Sequence, residues 1–344
     1  MSDDVESLIA RIADWTVDET DWEMAIDWEK ACAFDGLRAT GQREAETRAL
    51  VDRSIDTQTD DGQFSYGSLD PLFLEWAAEW TIGEYKSIPD PAAIGNSVLE
   101  YYDQTGDDYY LDAARRQYEF LQSVERTSEG GIPQQRGELS LAVDGLWMVC
   151  PFLARYGRLA DEPDAIDDAV HQFEVQSKYL QDDNVGLWRH TWVEQPNSFA
   201  QSTFWARGNG WATNAMVDTY QYLPEDHDGR ELIEELLPRT FEALLDYQDR
   251  TGFWHNILDD PESPLETSGT SMFIYSMNRA LDLGIVDDDR FAEAADRAWE
   301  VAKGVVDEDG RVRRVAVVPG GPDAPLGTPL HGQGLFLLAA SCYQ

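Results

Sequence analysis

In the last quarter of the chain Phe291, Ala294, Ala295, Ala298 and Val301 are apolar or small. They fall at the spacing of one helical face, with Asp and Arg on the other side. The same alternation predicts amphipathic helices over 109–122, 164–180, 230–248 and 289–301. Between them lie stretches that are apolar nearly all round, over 141–156, 209–222 and 271–283, with a terminal one over 334–343. The two types differ as helices with one buried stripe differ from helices buried on every side.

A short glycine-led segment punctuates this alternation: Gly62-Gln63-Phe64, Gly131-Ile132-Pro133, Gly186-Leu187-Trp188, Gly252-Phe253-Trp254 and Gly310-Arg311-Val312. Successive segments are 69, 55, 66 and 58 residues apart. Each unit therefore holds two helices and a short loop or hairpin. Five markers and the terminal helix predict six pairs, an all-α fold. Closed in a ring, the pairs form an (α/α)6 barrel of six helical hairpins with a pit at one end. An open superhelix of helix pairs is the competing architecture. The number of pairs and the clustering of aromatic residues near the loops favour the ring. No linker or composition shift divides the chain, so residues 1–344 read as one domain.

Composition adds an extreme charge balance, 26 Lys+Arg against 66 Asp+Glu, a formal net charge of −40. Such a field repels a phosphate backbone and an anionic membrane face, which argues against nucleic-acid and membrane partners. Only four lysines accompany 22 arginines, and the carboxylates are spread along the chain rather than gathered in a tail. This is the pattern of a halophile's surface. In molar salt, where the Debye length is about 3 Å, surface repulsion is screened while a short-range site still works. The acidic start, Met1-Ser2-Asp3-Asp4, has neither the basic end nor the apolar core of a secretory signal, and no apolar run is long enough to span a membrane. The expected location is cytoplasmic. Cys32, Cys150 and Cys342 are far apart and form no zinc pattern, so each reads as a packed hydrophobe.

Candidate chemistry concentrates in four places. Asp144 stands inside Leu139-Ser140-Leu141-Ala142-Val143-Asp144-Gly145-Leu146-Trp147-Met148, a stretch otherwise without charge. Desolvation there raises a carboxyl pKa toward neutrality, as a general acid requires; a helix cap explains the same residue equally well. His190 lies between two tryptophans in Trp188-Arg189-His190-Thr191-Trp192, where it orients a water or donates to a carboxylate, or simply packs. In Trp205-Ala206-Arg207-Gly208-Asn209-Gly210-Trp211, Arg207 offers a planar fork for a carboxylate, or pairs with one of the 66 acids at an ordinary helix start. Asp90, before Pro91, reads as a turn or cap residue. If it shares the pit with Asp144, like-charge repulsion leaves one of the two protonated. No phosphate loop, dinucleotide fingerprint, serine elbow or zinc helix is present, so neither a cofactor nor a metal is expected.

Val143-Asp144-Gly145-Leu146-Trp147-Met148, Gly186-Leu187-Trp188-Arg189-His190-Thr191-Trp192, Trp205-Ala206-Arg207-Gly208-Asn209-Gly210-Trp211 and His331-Gly332-Gln333-Gly334, taken in order, resemble the unsaturated rhamnogalacturonyl hydrolases, glycoside hydrolase family 105. The resemblance runs from about residue 25 to 340. It implies an (α/α)6 barrel and a substrate that is a small oligosaccharide carrying a 4,5-unsaturated uronic acid, left by a polysaccharide lyase. It also implies Asp144 as catalytic acid/base, Asp90 as a second catalytic aspartate, and substrate contacts from His190, Arg207 and Trp205, with Trp211 and Trp147 as further stacking candidates. Two departures stand out. The family's Trp-His-Lys segment after the glycine pair is replaced by Ile132-Pro133-Gln134-Gln135, which removes a basic contact, and the loop between His190 and Trp205 is short.

The chemistry implied is hydration of an enol ether. Asp144, protonated at rest through like-charge coupling to Asp90, protonates C4 and then takes a proton from the water that attacks C5. The favoured substrate is unsaturated galacturonyl-rhamnose, with unsaturated glucuronyl substrates of the ulvan type as the alternative. A sugar epimerase using His190 and His255 and a non-catalytic sugar-binding protein are the remaining readings.

Overall fold

The computed structural model describes residues 4–22, 25–64, 87–318 and 320–344. Among these residues twelve α-helices alternate between two concentric rings. The inner ring is α2 (Asp27–Ala39), α4 (Gly95–Thr105), α6 (Asp144–Ala160), α8 (Ala206–Tyr220), α10 (Thr267–Asp282) and α12 (Leu330–Ser341). The outer ring is α1 (Val5–Asp18), α3 (Glu44–Asp56), α5 (Asp108–Ser123), α7 (Pro163–Leu180), α9 (Gly229–Asp246) and α11 (Asp289–Ala302). The inner helices α6, α8, α10 and α12 are the ones read as apolar all round, and every residue of α6 from Gly145 to Gly157 is buried; α2 and α4 have no counterpart in the sequence reading. Outer helices bury one stripe, as α11 does with Phe291, Ala294, Ala295, Ala298 and Trp299.

The ring is closed, which rules out the open superhelix. Each inner helix packs on the next, and α12 returns to lie against α2. That last contact is backbone on backbone: a Cβ added to Gly36 would stand 2.3 Å from the carbonyl oxygen of Gly334, and one on Gly334 would stand 2.1 Å from that of Cys32. Only hydrogen fits at either position.

The glycine repeat has a structural cause. Gly62, Gly186, Gly252 and Gly310 follow outer helices, have φ between 86° and 100°, and press against a carbonyl of the next outer helix, at Arg116, Arg239, Arg297 and Arg11 respectively. Because Gly310 contacts the first helix of the chain, the outer ring closes by the same device. The second marker needs correcting: the left-handed glycine is Gly130, facing His171, and not Gly131. A preceding glutamine strengthens the joint. Gln58 donates to Gly62 O and Ala113 O, Gln181 to Gly186 O and Leu236 O, and Gln248 to Gly252 O and Ala294 O.

Short hairpins project from one end of the barrel. Strands β1 (Ser140–Ala142), β2 (Thr191–Val193) and β3 (Ser198–Gln201) form an antiparallel sheet in that order; β4 (Trp254–His255) pairs with β5 (Leu265–Glu266) and β6 (Val315–Ala316) with β7 (Leu326–Gly327). Residues 141 and 142, read as the start of a helix in the sequence, are therefore strand. All these hairpins feed the N-terminal ends of inner helices. Among the described residues no helix is long and apolar enough to cross a membrane.

An alanine at Gly310 must adopt a strained φ and also push its Cβ to within 2.2 Å of Arg11 O, whereas Gly284, at φ +68°, has nothing within 4 Å. Gly284→Ala is expected to lower the unfolding free energy by about 1 kcal/mol, the cost of left-handed backbone alone. Gly310→Ala should cost at least about twice that, as compared by urea midpoints.

Candidate active site

Asp144 is the first residue of α6, directly after β1, and Val143 N donates to the carbonyl of His190 at 3.0 Å. This strand-to-helix joint is how a charged residue ends up in an apolar stretch: the strand fixes the backbone and the helix start turns the carboxyl into the pit. The neighbouring Val143 makes no side-chain cap bond and Asp144 already lies inside the helix, so burial rather than capping describes the residue. Its side chain is 18% exposed and that of His190 15%, with His190 Nε2 3.0 Å from Asp144 Oδ2. His190 Nδ1 meets Gln201 Oε1 on β3.

Protonation differs from the sequence expectation. Burial pushes the Asp144 carboxyl up, but the facing His190 and the Arg207 guanidinium outweigh it and hold the group below its ordinary value. Burial likewise opposes charge on His190, yet Asp144 holds its pKa above the usual imidazole value. Each partner thus favours the charged form of the other. The carboxyl with the raised pKa is Asp90, pushed up to about 6 by burial and further by the charge of Asp144. The coupling foreseen between the two aspartates raises Asp90 and not Asp144. Asp90 opens the 3-10 turn Asp90–Ile94 ahead of α4 and accepts from Gln134 Nε2 at 3.4 Å. Gln134 is one of the two glutamines standing where a basic segment was expected.

The aromatic candidates are placed differently from the stacking role expected of them. Trp147, Trp205 and Trp211 are 0%, 2% and 1% exposed, and Arg207 is 1% exposed. A Cβ on Gly320 would lie 2.4 Å from the Trp205 ring and 2.8 Å from Arg207 Nη2, so the turn after β6 covers both. Trp205 instead presses on the His190 ring, with centroids 4.7 Å apart, and sits under the Arg207 guanidinium at 4.2 Å. Asn256 ties it down, accepting from Trp205 Nε1 at 3.1 Å and donating to Gly321 O at 2.9 Å. Arg207 Nη1 donates to Ala316 O at 2.8 Å and Ser268 Oγ at 3.2 Å. Trp147 and Trp211 pack on each other at 4.8 Å as the floor, and Trp147 Nε1 donates to Asp218. Beside them is Trp28, at the start of α2, half-buried and 6.0 Å from both Trp211 and the Arg207 guanidinium. The sequence reading missed Trp28, Gln201 and Glu29, whose Oε1 is 2.8 Å from Nδ1 of the buried His331. The Trp-Glu pair four and three residues before Cys32 was the available signal. His255 has partners of its own, Ser263 O and Asp249, and shares none with His190, which removes the support for a two-histidine epimerase.

Among the described residues no group of three or more His, Cys, Asp or Glu side chains is placed to hold a metal ion. The arrangement offers one carboxyl of raised pKa, one carboxyl–imidazole pair and a buried guanidinium at one end of the barrel. Six inner-helix N-termini point the same way and favour negative charge there.

The model of a family described as Glycosyl Hydrolase Family 88 matches residues 2–344. The chain is 27% identical over 326 residues to the unsaturated rhamnogalacturonyl hydrolase YesR of Bacillus subtilis (strain 168), covering 91% of this chain and 84% of that protein. It is 29% identical over 204 residues to an unsaturated 3S-rhamnoglycuronyl hydrolase of Alteromonas sp. (strain LOR), covering 58% of this chain and 49% of the relative. Among solved structures, a possible member of the GH105 family from Salmonella enterica superposes with a TM-score of 0.82 at 22% identity, over 100% of this chain and 94% of that one. The unsaturated glucuronyl hydrolase from Bacillus sp. GL1 gives 0.69 at 16% identity, over 98% and 94%. These two likenesses establish the barrel and nothing finer.

Removing the charge at 144 leaves burial and Arg207, which disfavour the imidazolium of His190, opposed only by its contact with Gln201. Asp144→Asn should therefore lower the His190 pKa, read by an NMR titration of the ring. Asp90 has the opposite linkage to an ordinary surface acid: its folded pKa is raised, so the native state loses stability as pH climbs from the unfolded value to about 6. Asp90→Asn should raise Tm at pH 8 by more than it does at pH 4.

Proposed function

This chain belongs to Glycosyl Hydrolase Family 88 and is a glycosidase, and from that premise we propose that it removes a 4,5-unsaturated uronic acid from the non-reducing end of lyase-generated oligosaccharides. The observation that carries the reading is the Asp144–His190 pair, 3.0 Å apart, beside Asp90, whose carboxyl is pushed up to about 6. A vinylogous sugar acid needs a proton delivered to an electron-rich carbon and a base for water, and it needs them at one place.

The substrate's C4=C5 bond is an enol ether. His190 passes its Nε2 proton to Asp144, leaving a neutral imidazole beside a carboxylic acid. Asp144 gives the proton to C4, and the ring oxygen stabilises the cation at C5. Water attacks C5 and its proton goes to Asp144, which returns it to His190. The C5 hemiketal opens by breaking its bond to the ring oxygen, and the resulting C1 hemiacetal expels the neighbouring sugar. No displacement occurs at the anomeric carbon, so the spacing of the carboxyl groups does not distinguish retention from inversion here. Below about pH 6 a protonated Asp90 lets the uronate approach without a second negative charge and leaves an O–H to donate to a sugar hydroxyl. Arg207, buried behind Trp205, sets the local positive potential. Trp28 is the indole with free surface for a sugar face.

The likeness to YesR over most of the chain favours unsaturated galacturonyl-rhamnose. The match to a rhamnoglycuronyl hydrolase over part of it keeps unsaturated glucuronyl-rhamnose as the second reading. The acidic surface is read as an adaptation to salt, and the protein as cytoplasmic.

With both disaccharides, activity is followed as loss of the ultraviolet absorbance of the conjugated uronate, in low and in molar salt. Asp144→Asn is expected to reduce turnover by about 10²- to 10⁴-fold with an unchanged helical spectrum. Near-normal turnover in that variant, or no loss of absorbance by the parent protein on either substrate, would overturn the reading.

A further inference from the structure

The three-stranded sheet has an ordering that the reaction above does not use. Asp144 follows β1 by one intervening residue, His190 directly precedes β2, and Gln201 ends β3. The register pairs Ala142 with Thr191 and Thr191 with Gln201. One sheet thus carries a carboxylate, an imidazole and an amide in line: Asp144 Oδ2 3.0 Å from Nε2, and Gln201 Oε1 on Nδ1. The Gln201 amide also lies close to Gly321, where an added Cβ would come within 3.0 Å of its Nε2.

An amide oxygen only accepts, so it requires a hydrogen on Nδ1. The neutral imidazole can then carry its single proton at Nδ1 alone, and Nε2 becomes the nitrogen that exchanges with Asp144. Were the tautomer free, half-turnovers would strand the proton on Nε2 after loss from Nδ1, and the ring would face Asp144 with a proton it had no reason to give. A carboxylate at 201 would hold Nδ1–H as well but would add a second negative charge and lock the imidazolium. The charged groups acting on the ring are Asp144 from α6 and Arg207 from α8, of opposite sign, while Gln201 and Trp205 add none.

We propose that Gln201 is a positioning residue that holds Nδ1–H of His190, so that Nε2 alone shuttles the proton to and from Asp144. This rests on the reading of Asp144 and His190 as the reacting pair. The same logic orients the imidazole of hydrolase triads, with a neutral orienter here in place of an acid.

Two variants and one spectrum test it. Gln201→Glu keeps size and reach. It should move the alkaline limb of the kcat profile to higher pH, by about one unit where the added charge is worth a tenfold change in the proton equilibrium, and lower the plateau. Gln201→Met should cut kcat by roughly 10- to 100-fold, the usual effect of losing a partner behind a working histidine, with KM little changed. Nitrogen-15 NMR of His190 in the parent protein should find the neutral ring protonated at Nδ1, and in Gln201→Met a mixture or the Nε2–H form. A parent ring carrying its proton on Nε2 overturns the proposal whatever the activities. So does an unshifted profile in Gln201→Glu together with full kcat in Gln201→Met, while Asp144→Asn is inactive. An active Asp144→Asn would instead sink the reaction assigned to the site, and the tautomer would still decide the role of Gln201.

Discussion

The closure of the inner ring is the constraint on which everything else depends. At Gly36 and Gly334 two helices meet with no room for a Cβ on either, so the first and last inner helices are locked at one height. Fixing that height aligns all six N-terminal ends, and with them the hairpins that precede them. Asp90, Asp144, Arg207 and Glu266 lie at or beside the starts of successive inner helices. Their convergence follows from ring geometry and needs no long-range loop. The far end of the same axis is separate: the C-terminal halves of the helices enclose a polar cavity of about 350 Å³ lined by Asp35, Arg38, Glu100, Arg155, Asp218 and Arg279. Trp147 and Trp211 form the partition, and the bond from Trp147 Nε1 to Asp218 anchors it from behind.

Inside the pit, electrostatics is decided by partners more than by burial. Asp90 and Asp144 are both desolvated, which by itself raises both. Only Asp144 faces cations, so the two move apart, one to about 6 and the other below its ordinary value. Two like carboxyls given different neighbours thereby take different protonation states at one pH, the arrangement that acid–base chemistry near neutrality exploits. Arg207 contributes from behind a layer of protein. Ala316 O and Ser268 Oγ satisfy part of its fork, and Glu266, bound by the amides of Ser268, Gly269 and Ala316, lies on its other side.

What the sequence revealed and what it hid divide along sequence distance. Helical pairs and their number were legible because a 3.6-residue stripe and a left-handed glycine are local signals. The first two pairs, around α1 to α4, left a fainter trace because α2 and α3 are weakly amphipathic and only one glycine marker lies among them. Burial of Asp144 was legible from its apolar neighbours. The direction of its pKa shift was not, because the group that reverses it, His190, stands just before β2, forty-six residues on. The covering of Trp205 and Arg207 was equally invisible, since it comes from Gly320, more than a hundred residues downstream in another hairpin. Placing Gly131 in the repeat instead of Gly130 shows the limit of the local signal itself: two adjacent glycines look alike until φ is known.

A net charge of −40 and a site built to receive a negatively charged sugar acid pull in opposite directions. They are reconciled by depth. In dilute salt a surface carboxylate is felt over about 10 Å, and in molar salt over about 3 Å. Arg207 is buried and His190 is only 15% exposed at its side chain, so both act largely through protein, where screening by mobile ions is weak. On the proposed function, salt weakens the long-range repulsion that an arriving uronate meets while leaving the short-range attraction of His190 and Arg207. The acidic exterior would then act on encounter and solubility, and the few shielded cations on the reacting end of the barrel. The same separation explains why the composition, taken alone, pointed away from anionic partners in general and said nothing against this one.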